Sequence, residues 1–100
     1  RSEGIHLGNL GNASTRLGEP RKAIEYYQRA LAIAREIGDR RSEGSALWNT
    51  SLALNEMGNR EQAIERAKSA LTILESIESP YTEMAKRKLQ EWEEASNQIQ

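Results

Sequence analysis

The sequence contains no cysteine, so disulfides and thiolate metal sites are excluded. Phenylalanine and valine are also absent, and proline occurs twice. A β-sheet would lack the branched and aromatic residues that favour strands. No apolar run reaches the 18 residues or so needed to span a membrane. Neither sign of charge is in excess, with 14 Lys and Arg against 15 Asp and Glu. The clustered basic surplus that marks a nucleic-acid surface is missing. Arg40-Arg41 and Lys86-Arg87-Lys88 sit among acids and read as solvated helix faces.

What remains is a helix-forming mixture rich in Ala, Leu, Ile, Glu, Arg, Gln and Ser. The 100 residues suffice for one small domain, although the apolar share of 37% is low for a compact globule. The opening, Arg1-Ser2-Glu3-Gly4, is neither apolar nor a natural initiation. It carries no signal-peptide pattern and predicts a piece of a longer chain.

Sliding the chain along itself by 40 residues exposes a repeat. Arg1-Ser2-Glu3-Gly4 falls on Arg41-Ser42-Glu43-Gly44, Leu7 on Leu47, Asn9 on Asn49, Ala13 on Ala53 and Gly18 on Gly58. Ala23-Ile24-Glu25 then falls on Ala63-Ile64-Glu65, Ala30-Leu31 on Ala70-Leu71, Ile33 on Ile73 and Ile37 on Ile77. Chance would give about two or three identities at this composition, so the self-similarity marks a structural repeat.

Each unit reads as two helices. The first runs from about Ser2 to Leu17, where Gly18 supplies a left-handed stop and Pro20 suits the first turn of the next helix. The second runs from Pro20 to Ile37, with Ala23, Ile24, Tyr27, Ala30, Leu31, Ala34 and Ile37 as its buried stripe. Gly38 stops it, and Asp39 can cap the next helix. Unit two repeats the logic from about Arg40 to Met57. It then turns at Gly58, and Asn59 with Gln62 resembles a capping box. Ser79-Pro80 predicts a cap and first turn for a fifth helix to about Gln98, striped by Tyr81, Ala85, Leu89, Trp92, Ala95 and Ile99. A helix with one apolar and one strongly polar face suits the end of a solenoid. The expected fold is an all-α solenoid: hairpin repeats over 1–38 and 39–78, closed by a helix over 79–100.

The unit resembles the tetratricopeptide repeat. Leu10-Gly11 holds that family's Leu-Gly positions, Gly18 its turn, Ala23 and Ala30 its small crossing residues, and Tyr27 the aromatic between them. Ala63, Ala67 and Ala70 take these places in unit two. The 40-residue period, the string Leu7-Gly8-Asn9-Leu10-Gly11-Asn12-Ala13 and the run Ala30 to Arg40 are similar to a longer-period subfamily. It includes kinesin light chains, Leu-Gly-Asn-repeat regulators of G proteins and bacterial signalling proteins. Two departures stand out: Ser14-Thr15 where aromatics are usual, and Trp48 where the subfamily has glycine.

The resemblance implies a right-handed superhelix and a cytoplasmic signalling scaffold that binds a protein or peptide partner, with no enzymatic role. It further implies that Asn9 and Asn49 reach the backbone of an extended peptide, a sensible task for an amide that both donates and accepts. Around them, Ile5, Gly8, Asn12 and Arg16 from unit one, and Trp48, Leu52, Asn55 and Glu56 from unit two, are expected to face the groove. Trp48 fits equally a binding hot spot or a filler between helices. His6 is the lone histidine, without partners for a triad or a metal set, and no glycine-rich phosphate loop follows a strand. No cofactor, metal, nucleic acid or membrane is therefore expected. The fifth helix predicts the C-terminal end of a longer array. The alternative is a structural spacer, or a module that self-associates through the face of its first repeat, where Ile5 and Leu10 lack a neighbour.

Overall fold

The computed structural model describes residues 2–99, and the side chains of residues 3–97. It contains five helices in sequence: α1 (Ser2–Arg16), α2 (Pro20–Ile37), α3 (Arg40–Glu56), α4 (Arg60–Ser76) and α5 (Thr82–Ile99). The all-α expectation holds. α1 packs on α2, α2 on α3, α3 on α4 and α4 on α5, in a slab of 43 × 31 × 18 Å.

The turns explain why the helices end where they do. Ser14, Ala34, Leu54 and Leu74 each accept a bond at their carbonyl from the amide five residues on, at 2.9, 2.8, 2.9 and 2.9 Å. These are the six-to-one bonds of a Schellman ending, which needs a left-handed residue just past the helix. Gly18, Gly38 and Gly58 supply it with φ of 75°, 73° and 83°. At the fourth ending the slot is held by Glu78 at φ 53°, the only non-glycine with positive φ among the described residues. The 40-residue repeat thus contains a 20-residue rhythm of helix and stop.

Starts are capped as the sequence implies. Asp39 accepts from Ser42 N (3.1 Å) and from the Ser42 hydroxyl (2.7 Å), and Asn59 accepts from Gln62 N (3.4 Å). Pro20 opens α2 without a side-chain cap on Glu19. α5 begins later than Ser79-Pro80 predicts. Ser79 Oγ accepts from Tyr81 N instead, and the first helical amide bond runs from Ala85 to the Tyr81 carbonyl. Tyr81 is therefore outside the helix and 65% exposed, not part of its stripe.

Small residues set the spacing between helices. α2 buries Ala23, Tyr27, Ala30 and Ala34, and α4 buries Ala63, Ala67, Ala70, Ile73 and Leu74. Ile24 and Leu31 are half-buried, and Ile37 is 50% exposed at the end of α2, where the expected stripe runs off the core. α3 is the interior helix, with seven buried residues from Gly44 to Leu54 on two sides. Its buried hydroxyls are satisfied along the helix: Thr50 donates to the Ala46 carbonyl (2.7 Å) and Ser51 to the Trp48 carbonyl (2.6 Å).

The two hairpins differ at one crossing. In unit one the Tyr27 ring lies against Gly11, where an added Cβ would stand 2.7 Å from Cδ1 and 2.9 Å from Cζ. In unit two the matching pair is Ala67 and Ser51, both fully buried. The aromatic volume missing at Ala67 comes from elsewhere. Trp92 of α5 joins Leu54, Ala63, Ala67 and Leu89 in one cluster, with Trp48 packed against it. The two indoles stack with centroids 6.0 Å apart and planes 10° from parallel. Among its described residues, α5 buries the stripe of Ala85, Leu89 and Trp92. Ile99, expected on that stripe, lies outside the described side chains.

Candidate functional site

Helices α1 and α3 are consecutive first helices of the repeat and touch along one side, with α2 behind them. Between them lies a cleft of about 370 Å³. The 3.6-residue period aligns one row from each helix along it: Ile5, Asn9, Asn12 and Arg16 from α1, and Arg41, Ser45, Asn49 and Leu52 from α3. Tyr27, Ala30, Ile33 and Ala34 of α2 form the floor. A second hollow of about 320 Å³ continues the cleft past Asn12 and Asn49 to Thr15, Arg16 and Leu52.

The amides divide into two kinds. Asn12 is held from below, since the Tyr27 hydroxyl donates to its Oδ1 at 2.6 Å. That bond fixes the carbonyl side and leaves the amide N–H groups for a ligand. Thr15 Oγ1 lies 3.3 Å from the same phenol and donates to the Gly11 carbonyl (3.1 Å). Asn9 is exposed and Asn49 half-buried, and neither side chain bonds to another described residue. They occupy the same repeat position on adjacent helices and both line the cleft.

Five of the seven residues read from the sequence as groove residues therefore come together: Asn9, Asn12, Arg16, Asn49 and Leu52. Trp48 turns away from them. It is half-buried and stacked on Trp92, so it fills the space between helices. Glu56 is exposed at the last residue of α3, beyond the residues lining the cleft. Asn55, also expected in the groove, accepts from Arg60 Nε at 2.6 Å and is spent on the α3–α4 corner. Ile5 and Gly8 also line the cleft. His6 is exposed outside it.

Sequence reasoning passed over Ser42, Ser45 and Arg41, which also line it. The signal was available, because Ser45 matches Ile5 in the repeat and Arg41 precedes it by one turn. Among the described residues, no group of three His, Asp or Glu side chains is placed to hold a metal ion. No helix among them is long and apolar enough to cross a membrane.

The sequence model of the tetratricopeptide repeat family matches residues 2–76, which span both hairpins and the cleft between them. The chain belongs to the tetratricopeptide repeat family. No curated protein matches the sequence. Tetratricopeptide repeats are generally protein-interaction modules, and their all-helical fold is typically non-enzymatic. Leu10-Gly11 resembles the family's Leu-Gly pair, and the close approach of Gly11 to Tyr27 gives the glycine a steric reason.

Proposed function

We propose that the α1–α3 cleft binds an extended peptide or partner helix of another protein, and that the chain acts by this binding and not by catalysis. The observation that carries the reading is the pairing of Asn9 and Asn49. Two amides without partners among the described residues stand at matched positions on adjacent helices, on one cleft, with Asn12 braced beside them. Such a ladder can pair with peptide groups regardless of side chain, while Ile5, Ile33 and Leu52 offer apolar contacts beside it.

The cleft is short and open, so affinity should be about micromolar or weaker. A peptide captured by the protein is expected to bind Asn49→Ala roughly 2- to 12-fold more weakly, the span of one lost hydrogen bond. Fluorescence anisotropy measures this directly, and an unchanged Kd counts against the cleft.

α5 supports placing this chain at the C-terminal end of a repeat array. α3 is buried on two sides, whereas α5 buries one stripe and exposes Glu83, Lys86, Arg87, Gln90, Glu91 and Glu94. Among its described residues, the outward face offers a following helix little apolar surface beyond Met84. The long period supports kinship with the longer-period, kinesin-light-chain-like repeats and their cytoplasmic signalling role.

A second reading, a spacer or self-associating module, draws on the opposite end. Ala46, Thr50 and Ala53 of α3 are buried, but their counterparts in α1 are exposed His6, half-buried Leu10 and exposed Ala13. Leu17 beyond them is 75% exposed, whereas Ile5, expected on this face, lies in the cleft. Light scattering across concentration tests this reading, and a strict monomer rejects it.

A further inference from the structure

The charges along the cleft are sorted by how they are engaged. The charged side chains that line it are Arg16, Arg41 and Asp39. Asp39 caps α3 through Ser42 N and Oγ. The two arginines make no ion pair or hydrogen bond with another described residue. This contrasts with Arg35 and Arg40 nearby, which both pair with Glu43 at 3.2 Å. The cleft of a chain with net charge −1 therefore presents two uncommitted cations.

Their placement is specific. Arg16 ends α1 at one mouth of the cleft, and Arg41 lies in the first turn of α3 at the other. In the shared repeat register about fifteen residues separate them, which at 1.5 Å of rise is about 22 Å along the cleft. An extended peptide covers that distance in six or seven residues. Between the arginines the lining is uncharged: Asn9, Asn12, Ser45 and Asn49. Beside Arg41, Ile5 and Ile37 form an apolar rim. Around Arg16 the cleft is lined by Asn12, Thr15, Tyr27, Asn49, Leu52 and Ala53, with no second cation among them to hold a chain's terminal carboxylate.

We infer that the cleft is built for an internal, extended acidic segment of a partner protein, with two carboxylate side chains six or seven residues apart, uncharged residues between them, and an apolar side chain next to one. This rests on the peptide-groove reading above and adds the charge pattern of the ligand. Arginine suits the task, since its fork meets a carboxylate at two points. The opposing charges are Asp39, which lines the cleft two residues before Arg41 and is engaged in the α3 cap, and Glu56, which matches Arg16 in the repeat and lies exposed past the cleft, with no ion pair to Arg16. Glu56 penalises acids crowded at the Arg16 mouth and favours one carboxylate there over a run.

The probe is a labelled, end-blocked decapeptide, acetyl-Gly-Ile-Glu-Ser-Ala-Thr-Ser-Ala-Glu-Gly-amide, read by anisotropy at low and high salt. Comparison peptides carry Gln at both Glu positions, Lys at both, or the two Glu side by side. The first peptide is expected to bind best, with about a two- to five-fold loss for each carboxylate removed, and to weaken as salt rises. Arg16→Glu and Arg41→Glu should each weaken it and strengthen the Lys peptide, while Glu56→Gln should strengthen the Glu peptide. All three residues are exposed, and circular dichroism confirms that the variants stay folded. Equal binding of the Glu and Gln peptides, both still weakened by Asn49→Ala, overturns the charge pattern and leaves the groove standing. Binding of every peptide that ignores Asn49→Ala, or no binding at millimolar concentration, overturns both. Equal binding of the side-by-side Glu peptide, tighter binding of a version with a free C-terminal carboxylate in place of the second Glu, or Arg-dependent binding of a ten-nucleotide thymidine oligomer also overturns it.

Discussion

Replacing Gly11 with Ala opposes two effects of known sign. In an exposed helix interior this change stabilises by about 1 kcal/mol, because alanine is the better helix former. At Gly11 the new methyl would sit 2.7 Å from Tyr27 Cδ1 and 2.9 Å from Cζ, inside any tolerable carbon–carbon contact. Tyr27 cannot easily retreat. It is 3% exposed, and its hydroxyl is tied to Asn12 at 2.6 Å. Overpacking of this kind costs about 1–3 kcal/mol. Gly8 lies on the same helix with nothing within 4 Å of an added Cβ. Gly8→Ala is therefore expected to stabilise and Gly11→Ala to destabilise, with about 1–3 kcal/mol between them. In urea this separates the midpoints by about 1 M. Midpoints raised equally in both variants would refute the steric account of Gly11. The protein also contains its own control, since unit two pairs Ser51 with Ala67 at the matching crossing. Tyr27→Ala alone should cost about 3 kcal/mol as a cavity forms. Adding Gly11→Ser should recover part of that loss, giving a double-mutant coupling of about 1 kcal/mol.

Three further changes follow from the packing and the turns. Glu78→Gly places the expected residue in the left-handed slot and should stabilise by about 1 kcal/mol, seen as a Tm several degrees higher; a lower Tm contradicts the turn analysis. Trp92→Ala removes the stacked partner of Trp48 and should cost about 3–4 kcal/mol. Trp48 is then the sole tryptophan, and its emission should shift to the red; an unmoved spectrum means that α5 does not shield it. Asp39→Ala removes the α3 cap and should cost about 1 kcal/mol in thermal melts, while Asp39→Asn should restore most of it.

Much of the fold is legible in the sequence because the repeat encodes it locally. Gly18, Gly38 and Gly58 stand 20 residues apart, and each stops a helix by a backbone bond that its own neighbours complete. The alanines at 23, 30, 63, 67 and 70 mark the crossings, since only small side chains let helices approach so closely. The last turn shows the limit of that reasoning. Glu78 has no glycine signal, yet the six-to-one bond from Ser79 to Leu74 forms as at the other three endings. Glu78 takes the left-handed conformation there, and α5, packed on α4, starts past Pro80 at Thr82.

The site was half-legible for a related reason. Asn9, Asn12, Arg16, Asn49 and Leu52 share a cleft because the 40-residue register carries their helical phase from one unit to the next. Trp48 breaks that logic, since its position in the repeat belongs to Gly8, which lines the cleft. Its direction is decided by two distant substitutions. Ala67 stands where Tyr27 fills unit one, and Trp92 arrives from a helix outside the repeat. A large side chain takes the side where volume is missing, because an unfilled space beside Ala67 forfeits contact on every wall. The three changes are parts of one packing solution: aromatic volume leaves the second helix of the hairpin and returns from α3 and α5. The same exchange ties α5 to unit two, and it spares the cleft. With the indole drawn inward, Asn49 and Leu52 are left to line the groove with the smaller side chains of α1.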